Sequence, residues 1–177
     1  MRGEQRRRAI LEATLRVVAR DGVAGVSHRS VAREAGVPPS SATYYYATLD
    51  DLLVATLTWS ADEMAANFRD VGLRPAAVAG FVADAVGAHR ERTLAEYELY
   101  LLAARRPELR PAARRWSEVL SEVLSESPGE PVGPRDPVAL RAVLAGLDGL
   151  LIQGLIADFP PMADDLEPVV SLLMHGR

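Results

Sequence analysis

Five hydroxyl and phenol side chains crowd into the segment 39–45 and could form close polar contacts at a surface. A solvated helix face usually carries Glu, Lys or Arg, whereas short hydroxyls and phenols suit close approach to phosphates and base edges. Proline at position 39 favours a helix start there, because the first helical amide has no intrahelical partner. The segment therefore predicts a short helix that contacts nucleic acid through Pro39, Ser40, Ser41, Thr43, Tyr44 and Tyr45.

A second short helix precedes this segment and should hold it in place. Ser27 is a suitable N-cap, and Val31, Ala32 and Ala35 form one apolar face at helical spacing. Gly36 stands where a left-handed residue would end the helix. Two short helices joined by a tight turn predict a helix-turn-helix whose recognition helix covers about 39–45.

The tyrosines at the end of this recognition helix should divide their roles. Of Tyr44 and Tyr45, one is expected to face DNA and the other to be partly buried, while Tyr46 is expected in the core.

Three further positions could extend the contact surface. Arg29 could donate two parallel hydrogen bonds to guanine O6 and N7, or it could be a solvated arginine. His28 could reach the same strand or simply be exposed. Arg6, with Arg7 and Arg8, forms either a disordered basic tail or an arm that closes on the DNA backbone or minor groove.

Charge is unevenly distributed along the chain. The net charge is −4 overall, yet residues 1–50 hold eight arginines against five acidic residues, whereas the remainder holds twelve against nineteen. A basic end on an acidic body is typical of a small DNA-reading head joined to a regulatory body. We expect a DNA-binding domain over 1–50 and a ligand-binding and dimerisation domain over 51–177.

The fold class follows from residue types. Helix formers dominate and β-branched alternation is nearly absent, so the chain is predicted to be all-α with about nine helices. Thr48 and Asp51 resemble a capping box at the start of the fourth helix. In addition to the two helices of the helix-turn-helix, helices are predicted at about 6–20, 49–69, 75–90, 92–105, 108–126, 137–158 and 163–175. A Pro- and Gly-rich linker is predicted over 127–136.

Several classes of function are disfavoured. The chain has no cysteine, its three histidines are far apart in sequence, and it has no Gly-rich phosphate loop or nucleophile motif. We therefore expect no enzyme, catalytic residue, metal or cofactor. No signal peptide is recognisable, and the apolar stretch 138–159 is interrupted by Arg141, Asp148 and Asp158, so we expect a buried helix, no membrane span and a cytoplasmic location.

Scarce aromatic residues in the body could line a ligand pocket. Scattered aromatics usually belong to the core, but together they could form a mostly apolar site with a few phenol and indole donors. The candidates are Trp59, Phe68, Tyr97, Tyr100 and Trp116, with His89 and Glu96 as possible polar contacts.

The predicted helix 137–158 contains three glycines. Each lowers the stability of the helix by about 1 kcal/mol relative to alanine, so another interaction must compensate. Gly146, Gly149 and Gly154 could allow close approach of two subunits across a two-fold axis, or tight packing inside one subunit. The first interpretation is favoured.

Residues 5–57 resemble the DNA-binding domain of the tetracycline-repressor (TetR) family. The resemblance is carried by the motifs Ile10-Leu11-Glu12-Ala13, Gly22, Val31–Val37, Tyr44–Tyr46 and Asp50–Leu53. It implies a homodimer joined by the last two helices, a pocket in the body, and release of operator DNA when a small molecule binds.

Three positions depart from the family's pattern. Leu49 replaces a common lysine that meets a phosphate, Thr43 a common tyrosine, and Pro39 a frequent lysine or glutamine. DNA binding is therefore expected to depend on Arg29, the Arg6–Arg8 arm and backbone amides at helix starts.

The expected function is a one-component repressor that binds palindromic operator DNA as a homodimer and is released by a largely apolar small molecule. The alternative is a helical small-molecule-binding or scaffold protein that no longer binds DNA.

Overall fold

A computed structural model describes residues 3–71, 74–126 and 137–175 of the protein. These residues form nine α-helices, two short 3-10 turns and no strand, which confirms the all-α class. The helices are α1 (Gly3–Asp21), α2 (His28–Glu34), α3 (Pro39–Tyr45), α4 (Leu49–Val71), α5 (Pro75–Val86), α6 (Arg90–Leu102), α7 (Arg110–Glu126), α8 (Pro137–Ile156) and α9 (Ala163–His175).

Most predicted helix bounds agree with the structure to within a few residues. The largest difference is at the end of α5, which stops at Val86 rather than near residue 90. Gly87 leaves helical geometry there, with φ −101 and ψ −95. The predicted linker over 127–136 lies outside the described residues.

Local capping fixes the helix-turn-helix as the sequence predicts. The Ser27 hydroxyl accepts from the amide of Ser30 at 3.0 Å, at the start of α2. Gly36 adopts φ 65, a left-handed conformation that glycine reaches without a steric cost. At the start of α4, the Asp51 amide donates to Thr48 Oγ1 and the Thr48 amide donates to the Asp51 carboxylate, so the predicted capping box is present.

The described residues divide into two compact units. The first takes the chain as far as Ala61 together with Glu91–Trp116. Its core joins side chains of α1–α4 to α6 and the start of α7, so apolar packing continues well past residue 50. The buried residues include Ile10, Val31, Ala42, Leu52 and Leu57 from the first four helices, and Ala95, Leu99, Leu109 and Ala112 from the later segment.

The second unit consists of Asp62–Arg90 and the chain from Ser117 onward. In this unit α5 packs against α8 and α9. Its close contacts explain two of the three glycines in α8. A Cβ on Gly146 would lie 2.6 Å from Leu173, and one on Gly154 would lie 2.9 Å from Val86. Tight packing within one subunit thus accounts for these two, whereas a Cβ on Gly149 would meet none of the residues described by the structure within 4 Å.

Helix α8 is less buried than predicted. By length and composition alone it could cross a membrane. An 18-residue stretch of the helix has a mean hydropathy of 1.6, and 22% of that stretch is buried. Core helices of soluble proteins also pass this test. One side of α8 packs within the second unit through Val143 and Leu147, while Ile152 and Ile156 are exposed. Helix α8 is therefore only partly buried within this chain, in contrast to the buried helix that the sequence predicts.

Candidate nucleic-acid interface

Helix α3 presents a mostly exposed polar surface. Among its seven residues only Ala42 is buried, so one small side chain anchors the helix to the core. Pro39, Ser40, Thr43 and Tyr44 are exposed, and Ser41 and Tyr45 are half-buried. The structure thus brings the predicted hydroxyl and phenol groups together on one short helix.

The three consecutive tyrosines differ in burial as expected. Tyr44 is 82% exposed, Tyr45 is half-buried against the core, and Tyr46 is 3% exposed. The rings of Tyr44 and Tyr45 meet edge to face with centroids 5.2 Å apart. An exposed phenol supported by a half-buried aromatic neighbour is well placed to meet a phosphate or a base edge.

A hydrogen bond joins the start of α1 to the end of α3. Arg7 Nε donates to the Tyr46 phenol oxygen at 3.3 Å, and the guanidinium carbon lies 6.0 Å from the ring centroid. Burial raises the pKa of the Tyr46 phenol above its usual value, and the hydrogen bond to Tyr46 raises the pKa of Arg7. At neutral pH a charged guanidinium therefore faces a neutral phenol.

His28 joins α2 to the end of α3. Its Nε2 lies 2.8 Å from the Tyr46 carbonyl oxygen. A carbonyl only accepts hydrogen bonds, so Nε2 must carry a proton and donate. Of the two interpretations given for His28, simple exposure is wrong, because the ring is half-buried and bonded to the recognition helix.

Arg29 lies one residue further along α2 and is exposed. Its guanidinium has no hydrogen-bond or ion-pair partner within the part of the chain that the structure describes. A guanidinium in this state can bind an external acceptor without first breaking an internal contact.

The basic N-terminal segment is ordered helix. Arg6, Arg7 and Arg8 all lie within α1, and Arg6 is half-buried. Arg8 donates to Glu12 at 2.9 Å and lies over the Trp59 ring. The alternative of a disordered tail is therefore wrong, because helix formation and these contacts fix the segment to the protein. Contact of this helical segment with the DNA backbone or minor groove stays a prediction.

Glu34 connects α2 to α1. It accepts hydrogen bonds from Arg16 at 2.8 Å and from Arg20 at 2.9 Å. These two guanidinium groups, Arg20 first, hold the pKa of the Glu34 carboxyl below its usual value. The sequence alone did not reveal this role, since the two arginines precede Glu34 by 18 and 14 residues.

Only three of the five predicted ligand-binding aromatics come together. The rings of Tyr97 and Tyr100, and those of Tyr100 and Trp116, are 6.4 Å apart in the first unit. Trp59 instead lies near the guanidinium groups of Arg8 and Arg92, at 5.8 and 5.4 Å.

Phe68 belongs to the second unit, where it is buried and pairs with Phe81 at 4.4 Å. Of the predicted polar pocket residues, Glu96 accepts from Arg92 at 2.8 Å and from the Ser60 hydroxyl, and His89 is exposed. The residues described by the structure hold no group of three or more His, Cys, Asp or Glu side chains suited to a metal ion.

Comparisons with known proteins agree with this architecture. Residues 10–56 match the model of the bacterial regulatory proteins of the tetR family, and residues 73–176 match the tetracyclin repressor-like C-terminal domain.

Solved structures match over nearly the whole chain. The multidrug binding protein EbrR complexed with ethidium is 38% identical, with 96% of this chain and 98% of that chain covered and a TM-score of 0.76. The TetR-family member SCO1917 from Streptomyces coelicolor A3 is 37% identical, with the same coverage and a TM-score of 0.77.

A curated relative, the HTH-type transcriptional regulator PksA of Bacillus subtilis (strain 168), is 34% identical over 71 residues, which are 40% of this chain. The match spans 35% of the length of PksA. Both family models and the matches over nearly the whole of two solved structures lead to one conclusion: the chain belongs to the tetR family of bacterial regulatory proteins.

Proposed function

We propose that this protein is a ligand-responsive transcriptional repressor that acts in the cytoplasm. It binds palindromic operator DNA as a homodimer and releases it when a small molecule binds. The observation that carries this proposal is the exposed surface of α3, with Ser40, Thr43 and Tyr44, together with the exposed Arg29 of α2, which has no partner among the described residues. This surface favours a repressor over a helical scaffold that no longer binds DNA, and no catalytic role is assigned.

In this proposal, residues 1–50 read DNA, and residues 51–177 bind the ligand and form the dimer. Arg29, Ser40, Thr43 and Tyr44 contact the operator, and Pro39, Ser41, Tyr45 and Arg6 complete the contact surface. His28 lies at its edge, where its bond to Tyr46 orients α3. In the dimer, the two recognition helices must lie roughly 34–36 Å apart, or a multiple of this distance, to contact neighbouring half-sites of the operator.

Exposed apolar side chains support dimerisation through α8 and α9. Val138, Ile152 and Ile156 of α8 are 72%, 46% and 78% exposed. Gly149 falls between them at helical spacing, and a Cβ there would meet nothing within 4 Å among the described residues. Val169 and Leu172 of α9 are 42% and 55% exposed. A second copy that covers these surfaces would remove them from water, which is favourable.

For the effector, we propose a planar, largely apolar aromatic molecule. EbrR has been crystallised with ethidium and with proflavin, both planar aromatic cations. Tyr97, Tyr100 and Trp116 supply neighbouring rings on which such a molecule can stack. Trp59 is a weaker candidate for a cationic ligand, because two guanidinium groups already lie against its ring.

The test is titration of a labelled duplex, taken from upstream of the protein's own gene, with the full-length protein by fluorescence anisotropy. We expect tight binding that weakens steeply as salt rises, because phosphate neutralisation releases counterions. A scrambled duplex of equal length should bind much more weakly. Equal affinity for both duplexes, or no binding at low salt, would overturn the proposal.

A further inference from the structure

A carboxylate of α6 bonds to the turn that leads into the helix-turn-helix. Glu98 Oε1 accepts from the backbone amide of Val23 at 2.7 Å. Val23 opens the 3-10 turn Val23–Gly25, and amides in a first helical turn have no backbone acceptor within the helix. A charged acceptor makes this bond stronger than one to a neutral group.

The same carboxylate lies against the residue before the turn. Gly22 adopts φ 69, and a Cβ there would lie 3.4 Å from Glu98 Oε1. Glycine is favoured at this position because the left-handed conformation strains other residues. Thus Glu98 contacts the point at which the chain turns from α1 toward α2.

Hydrogen bonds continue from this point to the first turn of α2. The Val26 amide donates to the Val23 carbonyl at 3.1 Å. The Ser30 hydroxyl donates to the Gly25 carbonyl at 2.9 Å, and Ser27 caps the same helix. A shift of Val23 would therefore change the start of α2, the helix that carries Arg29.

Helix α6 provides a rigid base for Glu98. Its neighbour Leu99 and the preceding-turn residue Ala95 are 0% and 1% exposed, in the same core as α1 and α4. A second polar contact, Arg106 to Asp50 at 2.9 Å, lies in solvent, with side chains 45% and 43% exposed. Glu98 is exposed as well, but its carboxylate accepts from a backbone amide, so its loss affects the turn itself rather than only an ion pair between two side chains.

We propose that Glu98 is a positioning residue for operator binding, which holds the α1–α2 turn so that α2 and α3 are correctly placed on DNA. This inference rests on the proposed function.

The experiment compares Glu98→Ala with Glu98→Gln and with Glu91→Ala in the full-length protein. Glu91 is an exposed glutamate of the same helix without a partner in the described part of the chain. Removing a negative charge should by itself strengthen DNA binding slightly, whereas losing the acceptor should weaken it. We expect operator affinity to fall about tenfold in Glu98→Ala. It should stay near wild type in Glu98→Gln, whose amide oxygen still accepts, and in Glu91→Ala.

A second measurement does not depend on DNA. Amide hydrogen exchange should accelerate over residues 22–34 in Glu98→Ala, without global acceleration, and should remain near wild type in Glu98→Gln. If the wild type binds the operator and all three variants bind equally, the role of Glu98 is rejected while the repressor function stands. If the wild type binds no DNA, the repressor function is rejected. Unchanged exchange in Glu98→Ala would then also exclude Glu98 from holding the turn.

Discussion

The imidazole of His28 and the backbone carbonyl of Tyr46 form a 2.8 Å hydrogen bond that ties the first residue of α2 to the residue that ends α3. This bond crosses the helix-turn-helix at its open side, opposite the turn at Gly36. It therefore restrains the angle between the two helices, and we expect operator binding to depend on it even if His28 contacts no DNA.

Replacing His28 with alanine should weaken operator binding and lower the free energy of unfolding by about 1 kcal/mol, because the Tyr46 carbonyl loses its donor. His28→Gln offers an amide donor and should recover part of both losses. Anisotropy titration and thermal unfolding measure the two effects. Equal behaviour of the two variants would show that the bond does not orient α3.

Arg29→Ala should weaken operator binding by about 1–3 kcal/mol and leave the melting temperature and the dimer unchanged, since the side chain has no partner to lose among the described residues. Arg114→Ala serves as a charge-matched control, because Arg114 is exposed on α7, outside the helix-turn-helix. If Arg114→Ala and Arg29→Ala weaken binding equally, the effect of Arg29 is only that of net charge.

Ile152→Glu should dissociate the homodimer, because a charge at the proposed interface cannot be desolvated without a partner. Sedimentation velocity should show a wild-type mass twice that of the chain and a smaller mass for the variant. Leu101→Glu is the control, since Leu101 is 63% exposed on α6, which belongs to the first unit, whereas α8 and α9 belong to the second. A dimeric Ile152→Glu protein would place the interface elsewhere.

Tyr100→Ala should weaken binding of proflavin to the protein while operator affinity stays unchanged, because the ring between Tyr97 and Trp116 is lost. Tyr100→Phe keeps the ring and should retain most of the affinity. Proflavin binding is measured by calorimetry without DNA, since the dye also intercalates between base pairs. Unchanged proflavin affinity in Tyr100→Ala would remove Tyr100 from the site.

Glu34→Gln should reduce the amount by which the free energy of unfolding falls when the pH is lowered. The pKa of the Glu34 carboxyl is lower in the folded protein than in the unfolded chain. Its contribution to the free energy of unfolding is therefore fully present at pH values above the unfolded-state pKa, and it is lost as the pH falls through the folded-state pKa. Between pH 7 and pH 3 the wild type should lose up to about 1 kcal/mol more than the variant, given the partial exposure of these ion pairs. Parallel stability curves, measured by urea unfolding, would contradict this role.

Short-range patterns in the sequence determined the all-α class, the bounds of α3 and the caps at Ser27, Gly36 and Thr48. Each of these depends on residues within about one helical turn, where side-chain type and spacing decide the backbone conformation. The different exposures of Tyr44, Tyr45 and Tyr46 were predictable for the same reason.

Only the tertiary structure decided which distant residues meet. The contacts of His28 with Tyr46, Glu34 with Arg20, and Glu98 with Val23 join positions 14 to 75 residues apart. The sequence does not reveal these pairings, because a contact of this range depends on how whole helices pack. For the same reason it could not show that Gly146 and Gly154 pack inside one subunit while Gly149 stays open.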